Sequence, residues 1–280
     1  MRIAVTGATG FIGRYVVAEL DRLDLAHVLC LRPGSELLPE TPRREVIRID
    51  ISNPPSDMFD QLGRPDVLIH LAWGGLPNYR SLHHFEVEVP AQYRFLKGAV
   101  QSGLRAMLVT GTCFEYGMQS GPLDETIPAT PDNPYGLAKD TLRRQLGQLQ
   151  REIDFGLTWA RLFYVYGDGQ SPNSLYSQLR RSALAGEALF PMSKGEQLRD
   201  YLPVSTVARH LVALATKHCD AGIVNVCTGQ PISVRSLVED WISQHGWTIA
   251  PELGRYPYPD YEPLAFWGSA RKLNALVGPA

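Results

Sequence analysis

The first twenty residues, MRIAVTGATGFIGRYVVAEL, leave the chain little freedom. An apolar run ends at Thr6 and passes into Gly7, Gly10 and Gly13, and these open onto a stripe of Ile12, Val16 and Leu20 at helical spacing. A buried strand that turns tightly into an amphipathic helix is the first unit of an open α/β sheet. Glycines at such a turn let the backbone approach a pyrophosphate, which then meets the amide-rich, positive end of the helix. The spacing is GxxGxxG, and its position between strand and helix gives the motif its force. Phe11 and Ile12, within the same turn, are expected to join Gly7, Gly10 and Gly13 around the cofactor.

The rest of the chain repeats the pattern. Runs dense in Val, Ile and Leu occur at 3–6, 27–32, 45–50, 67–72, 106–112, 158–164 and 223–226. They lack polar alternation, which suits strands buried on both faces of a parallel sheet. Helical stripes lie between them, such as Leu142, Leu146 and Leu149, or Val204, Val207, Leu211 and Ala215. The alternation predicts an α/β fold, a doubly wound parallel sheet of the Rossmann type. Beyond Gly167 the pattern loosens. Segments 168–200 and 230–280, rich in Pro, Gly and aromatics, predict a small interleaved C-terminal substrate lobe over the carboxyl ends of the strands. Residues 1–167 form the dinucleotide-binding domain, completed by about 201–229.

Composition narrows the function. A net charge of -2 gives no reason to expect nucleic acid or an anionic membrane as partner. No apolar stretch approaches membrane-spanning length, and the glycine-broken opening is not a targeting peptide. A cytoplasmic protein is expected. Cys30, Cys113, Cys219 and Cys227 are scattered without a CxxC pair, so neither a metal site nor a disulfide framework is indicated.

Chemistry enters with PYGLAKD. Tyr135 and Lys139, four apart, lie on one face of a helix, and Thr112 ends the preceding strand. A free tyrosine titrates near ~10, and a unit positive charge at ~4 Å is worth roughly 4 kcal/mol at an effective dielectric of ~20. Lys139 is therefore expected to pull the phenol towards neutrality, where it exchanges a proton with a carbinol oxygen. Thr112 would hold that oxygen. At the cofactor, Asp50 and Ile51 fall beside the adenine, although Asp50 also reads as a loop cap. Leu71 and Ala72, after the core histidine His70, let the cofactor pass. The second strand carries no acid before Glu36, and Arg32 follows it directly. A guanidinium there suits a 2′-phosphate, so NADP(H) is expected over NAD(H).

These motifs together resemble the extended short-chain dehydrogenase/reductase family over nearly the whole chain. TGATGFIG is similar to its cofactor turn and HLA to its fourth strand. TGTCFEYG and PYGLAK resemble its catalytic segments, ARLFYVYG its R-x-x-N-x-Y-G stretch, LRDYLPV its R-D-F/Y segment and NVCTG its NVGSG. The resemblance implies Thr112, Tyr135 and Lys139 as the catalytic set. It implies Arg199 at the substrate's diphosphate, where pairing with Asp200 or another acid is the bland alternative. Trp73, Asn173 and Thr112 are expected to touch substrate with it. Tyr164 replaces the usual Asn, and Cys113-Phe114 replaces the acid–base pair of the dehydratases, which disfavours dehydration. Cys113 reads as a small buried thiol.

The resemblance, with the short lobe, implies an NAD(P)H-dependent reduction of the 4-keto group of a dTDP-linked 4-keto-6-deoxyhexose. The alternatives are a nucleotide-sugar 4-epimerase with tightly bound NAD, and a nonenzymatic dinucleotide sensor. A homodimer through 91–102 and 136–150 is a further expectation.

Overall fold

The computed structural model describes residues 1–35, 39–217, 220–258 and 262–278. Seven strands make the central sheet: β1 (Arg2–Thr6), β2 (Ala26–Leu31), β3 (Arg44–Arg48), β4 (Val67–His70), β5 (Ala106–Thr112), β6 (Gly156–Leu162) and β7 (Gly222–Val226). Their order is β7-β6-β5-β4-β1-β2-β3 and every neighbouring pair is parallel. Ile3 faces both His27 and Val67 across the two central ladders. The order reverses between β1 and β4, which opens a crevice at their carboxyl ends.

The absence of polar alternation has a direct cause. In β1, Ile3 and Val5 enter one core cluster and Ala4 the other; in β5, Leu108 enters the first, with Met107 and Val109 in the second. Successive side chains point to opposite faces, and both faces are covered. Helices α1 (Phe11–Arg22), α6 (Val204–Lys217) and α8 (Arg271–Val277) supply Val16, Leu211 and Leu273 to the first cluster. Helices α3 (Val89–Ser102) and α4 (Pro134–Leu149) supply Phe95, Leu142 and Leu146 to the second. The short α2 (Met58–Gln61) adds Met58.

Two further helices, α5 (Leu175–Leu184) and α7 (Val234–His245), share a third cluster in which Tyr176, Leu179, Phe190 and Trp241 meet. Strand pairs of two or three residues knit this region, such as Leu189–Pro191 with Ala250–Glu252 and Leu198–Arg199 with Ile232–Ser233. Phe266 and Leu273, near the end of the chain, return to the first cluster beside β7. The run expected at 158–164 breaks after Leu162: Tyr164–Tyr166 leaves the sheet to pair with Tyr201–Pro203. None of the helices among the described residues is long and apolar enough to cross a membrane.

Candidate active site

The glycine turn is packed too closely for any side chain. Gly7 has φ of +71°, and a Cβ there would lie 2.8 Å from the Ala72 nitrogen; one on Gly13 would lie 2.1 Å from the Gly7 carbonyl oxygen. The turn thus rests on the tip of β4, and α1 starts at its edge. A cleft of about 440 Å³ opens there. Gly7 and Gly10 line it from the turn, Arg32, Asp50 and Ile51 from the ends of β2 and β3, and Leu71 and Ala72 from the end of β4. Phe11, Ile12 and Gly13 do not. Phe11 stands edge-on to Tyr15, Ile12 packs on the core, and Gly13 serves helix-to-turn contact. The side chain of Asp50 also caps its own loop, accepting from the Ser52 amide at 2.9 Å. The cleft's size and its glycine-built backbone fit a dinucleotide with pyrophosphate at the turn. Glu36 and Cys219 lie outside the described residues, and no cluster of three potential metal ligands occurs among those described.

Beside the cleft, α4 presents Tyr135 and Lys139. Asn133 caps the helix, its Oδ1 accepting from the Gly136 amide at 2.9 Å, and Pro134 fixes the first turn. Both functional side chains are buried, Tyr135 at 8% and Lys139 at 2% exposure. Lys139 Nζ donates to the Thr110 carbonyl at 2.9 Å and stands 3.9 Å above the Trp73 ring, but 5.9 Å from the Tyr135 ring centroid. Burial lowers Lys139 to about 7, against the fields of Glu115 and Glu88. Burial also pushes Tyr135 well above the ordinary phenol range, helped by Tyr79, Glu115 and Cys113. A hydrogen bond from Thr112 acts the other way. The expectation that the ammonium depresses the phenol is corrected here. Desolvation disfavours the charged form of both groups and outweighs their attraction.

Trp73, expected at the substrate, lines the cleft and also underlies the lysine. Its Nε1 donates to His84 Nδ1 at 3.1 Å, so His84 Nε2 carries the hydrogen that reaches the Asn78 carbonyl at 2.9 Å. Burial depresses His84, in keeping with a neutral ring. Trp73, Tyr79, His84 and Phe114 ring Tyr135, with centroids 5.2–6.4 Å away. The segment carrying Trp73, Tyr79 and His84 is tied to α4 where the Tyr135 amide donates to the Tyr79 carbonyl at 3.1 Å.

Thr112 owes its place to residues the sequence reading passed over. It caps a short turn, Cys113–Tyr116, in which its Oγ1 accepts from the Phe114 amide and its own amide donates to Glu115 Oε1 at 2.8 Å. Glu115 also accepts from Trp159 Nε1 at 2.9 Å and Arg161 Nε at 2.7 Å, wholly within the protein. Gly111 is obligatory beside it, since a Cβ would lie 2.4 Å from Glu115 Oε1. The signal was present, because TGTCFEYG and ARLFYVYG contain both charged partners. Cys113 is a buried thiol raised by burial, as expected.

Arg199 is buried and occupied. Its Nε and Nη2 donate to Glu262 Oε2 at 3.3 and 2.9 Å, and Nη1 to the Leu198 and Leu264 carbonyls. The expected diphosphate fork is thus engaged by a carboxylate of the chain itself. Asp200 is not its partner: it accepts from the Thr228 and Gly229 amides at 2.7 and 2.9 Å. Tyr164, in place of the usual Asn, has a buried hydroxyl near Arg199 and Glu262. Asn173 is exposed ahead of α5, where its carbonyl accepts from Gln178 Nε2 at 2.6 Å.

Comparison with known proteins agrees with this geometry. The model of the NAD dependent epimerase/dehydratase family matches residues 3–227. A dTDP-6-deoxy-L-talose 4-dehydrogenase (NAD(+)) from Aggregatibacter actinomycetemcomitans is 31% identical over 271 residues, covering 96% of this chain and 100% of that protein. A dTDP-6-deoxy-L-talose 4-dehydrogenase (NAD(P)(+)) from Kitasatospora kifunensis is 29% identical, over 92% of this chain and 83% of that one. Among solved structures, MoeE5 in complex with UDP-glucuronic acid and NAD superposes with a TM-score of 0.82 at 28% identity, over 100% of this chain and 93% of that chain. From its glycine turn to the tip of β7, the chain belongs to the NAD-dependent epimerase/dehydratase family of extended short-chain dehydrogenases/reductases.

Proposed function

We propose that the protein is a nucleotide-sugar 4-ketoreductase, acting on a 4-keto-6-deoxyhexose carried by dTDP. The observation that carries this reading is the meeting of Thr112, Tyr135 and Lys139 at the end of β5, beside a cleft shaped for a dinucleotide. The two relatives named 4-dehydrogenases support it, since oxidation of a sugar C4 hydroxyl is the reverse of reducing that ketone.

Gly7 and Gly10 would hold the cofactor's pyrophosphate and Lys139 its second ribose. When bound, the cofactor supplies the hydride. The chain's own residues manage the proton and the pose. Tyr135, kept protonated by burial, gives its proton to the carbonyl oxygen as the carbinol forms. Thr112, fixed through Glu115, holds that oxygen against the phenol. The aromatic ring of Trp73, Tyr79, His84 and Phe114 excludes water and prevents the phenol from swinging. On substrate entry Arg199 would exchange the single Glu262 oxygen that its Nε and Nη2 now reach for the oxygens of the diphosphate.

For the cofactor, we propose a preference for NADPH. β2 ends in Leu31 with no acid to accept ribose hydroxyls, and Arg32 follows it in the cleft wall.

The test is incubation with dTDP-4-keto-6-deoxyhexose and NADPH or NADH while absorbance at the nicotinamide band is followed. Stoichiometric cofactor oxidation is expected. Interconversion of nucleotide-sugar epimers without net cofactor oxidation would refute the reductase reading in favour of an epimerase. Binding of cofactor with no turnover of any nucleotide sugar would refute both.

A further inference from the structure

Glu88 has no part in the chemistry above, yet it stands in the cleft wall with Trp73, Gly74, Gly75 and Gln92. A single wide turn over His84–Glu88 precedes α3, with its hydrogen bonds spanning five residues. Residues five apart stack in such a turn, and His83 Nε2 accordingly donates to Glu88 Oε1 at 3.2 Å. The other oxygen, Oε2, accepts from Gln92 Nε2 at 2.8 Å.

A directed chain lies behind that second bond. The Gln92 carbonyl oxygen can only accept, so His70 Nε2 donates to it at 2.8 Å. Burial holds His70 near 3 and therefore neutral. Its Nδ1 then accepts from the Thr6 hydroxyl, also at 2.8 Å. Thr6 immediately precedes the glycine turn. Every donor in the series, from Thr6 on one side and His83 on the other, points towards the Glu88 carboxylate.

The backbone is shaped around this acid. A Cβ on Gly74 would lie 2.4 Å from Glu88 Oε1, and one on Gly75, whose φ is +80°, would lie 2.8 Å from His83 Cδ2. The two glycines after HLAW thus make room for the pair. The Glu88 side chain is 12% exposed, and its field reaches Lys139. A carboxylate has about four lone-pair positions, of which two are taken. The remaining positions face the cleft, where a ligand's hydroxyls could donate to them.

We infer that Glu88 is a binding residue for a vicinal diol, accepting from the hydroxyls of the cofactor ribose at the β4 end of the cleft. The inference rests on the dinucleotide reading of the cleft. With pyrophosphate at Gly7 and Gly10, one nucleoside lies towards β2 and β3 and the other towards the tip of β4, where Glu88 stands. A carboxylate on a ribose diol is the same chemistry that the ends of second strands use for adenosine, here applied to the other half of the molecule. His83 and Gln92 are positioning residues that fix the two oxygens.

ADP-ribose is ADP with that second ribose esterified to its terminal phosphate, which also removes one ionisable oxygen. Affinities of the full-length protein, stripped of carried cofactor, are measured by titration calorimetry for ADP, ADP-ribose and NAD⁺. Wild type is expected to bind ADP-ribose more tightly than ADP. Glu88→Gln should weaken ADP-ribose and NAD⁺ by roughly tenfold, the scale of one charge-assisted bond, and leave ADP within about twofold. His83→Gln should shift ADP-ribose in the same direction by a smaller factor, and it serves if Glu88→Gln does not fold. An unchanged ADP-ribose affinity would overturn the inference. Loss for NAD⁺ with ADP-ribose unchanged would assign the carboxylate to the nicotinamide amide and overturn it equally, as would an equal loss for ADP. Failure of wild type to bind any of the three, and NADP⁺ as well, would defeat the dinucleotide reading itself, and this inference with it.

Discussion

Removing the charge of Glu115 should cost more than any other single-atom change near the site. The Glu115 and Arg161 side chains are 0% and 1% exposed and 2.7 Å apart. Glu115→Gln leaves the guanidinium charged inside the protein, with its carboxylate partner replaced by a neutral amide. Breaking one side of a buried ion pair typically costs about 3–5 kcal/mol, because the remaining ion keeps its full desolvation penalty. For a chain of this size, at about 2 °C per kcal/mol, that is a fall in Tm of roughly 6–10 °C. Urea denaturation should show the same loss as a lower midpoint with an unchanged slope. Arg161→Met added to Glu115→Gln removes the orphan charge and should recover most of the stability, giving a coupling energy of several kcal/mol in the double-mutant cycle. Turnover should not recover with it, because the Thr112 amide is still without its carboxylate acceptor. A loss below about 1 kcal/mol for Glu115→Gln, or additive effects in the cycle, would refute the reasoning. Either result would mean that Arg161 finds other partners when its carboxylate is withdrawn.

Tyr135→Phe should abolish turnover while cofactor affinity stays within a few-fold, as the ring contacts remain and only the transferable proton is lost; near wild-type rates would exclude Tyr135 as the donor. Lys139→Met tests burial directly. Lys139 is lowered to about 7 in the folded protein from a free value near ~10.4, so between those pH values the unfolded chain holds more protons and stability rises with pH. Below about pH 7 the folded state carries the buried charge at a cost of roughly 4 kcal/mol. The variant should therefore gain most over wild type at pH 6 and lose its advantage towards pH 10; a pH-independent difference in urea midpoints would contradict this. Arg32→Ala should lower the ratio of kcat/KM for NADPH over NADH, and a ratio unmoved by the substitution would remove Arg32 from phosphate recognition.

The sheet was legible because its strands are covered on both faces. Each of the seven runs of Val, Ile and Leu became a strand, and Ala4 between Ile3 and Val5 shows why no polar residue interrupts them. Strands of two or three residues, such as Leu198–Arg199, have no period to detect; their pairing depends on partners far along the chain. The same division runs through the site. Tyr135 and Lys139 could be read as a pair because a helix brings positions four apart together. Trp73 could not be placed by spacing, because its contact with Lys139 requires the segment after β4 to fold back over α4. Glu115 and Arg161 are 46 positions apart and meet only because β5 and β6 are neighbours in the sheet. Glu88 was hidden by a local irregularity, since a regular helix would not stack it under His83.

Reading the phenol and ammonium from spacing gave the wrong sign for the phenol's shift, and the reason is physical. Coulomb attraction between the two groups grows as the medium becomes less polar, but so does the penalty for each charge, and the penalty acts on both whether or not they touch. Lys139 gives its hydrogen bond to the Thr110 carbonyl and sits over the face of Trp73, with Nζ 5.9 Å from the Tyr135 ring centroid. Reduction of a ketone needs a phenol that holds its proton until the alkoxide develops, and burial provides that over the whole neutral range. A phenol held protonated in this way is ready to donate to a developing alkoxide, and the phenolate left behind is the base of the reverse step, so one residue serves both directions of a C4 carbonyl–carbinol exchange.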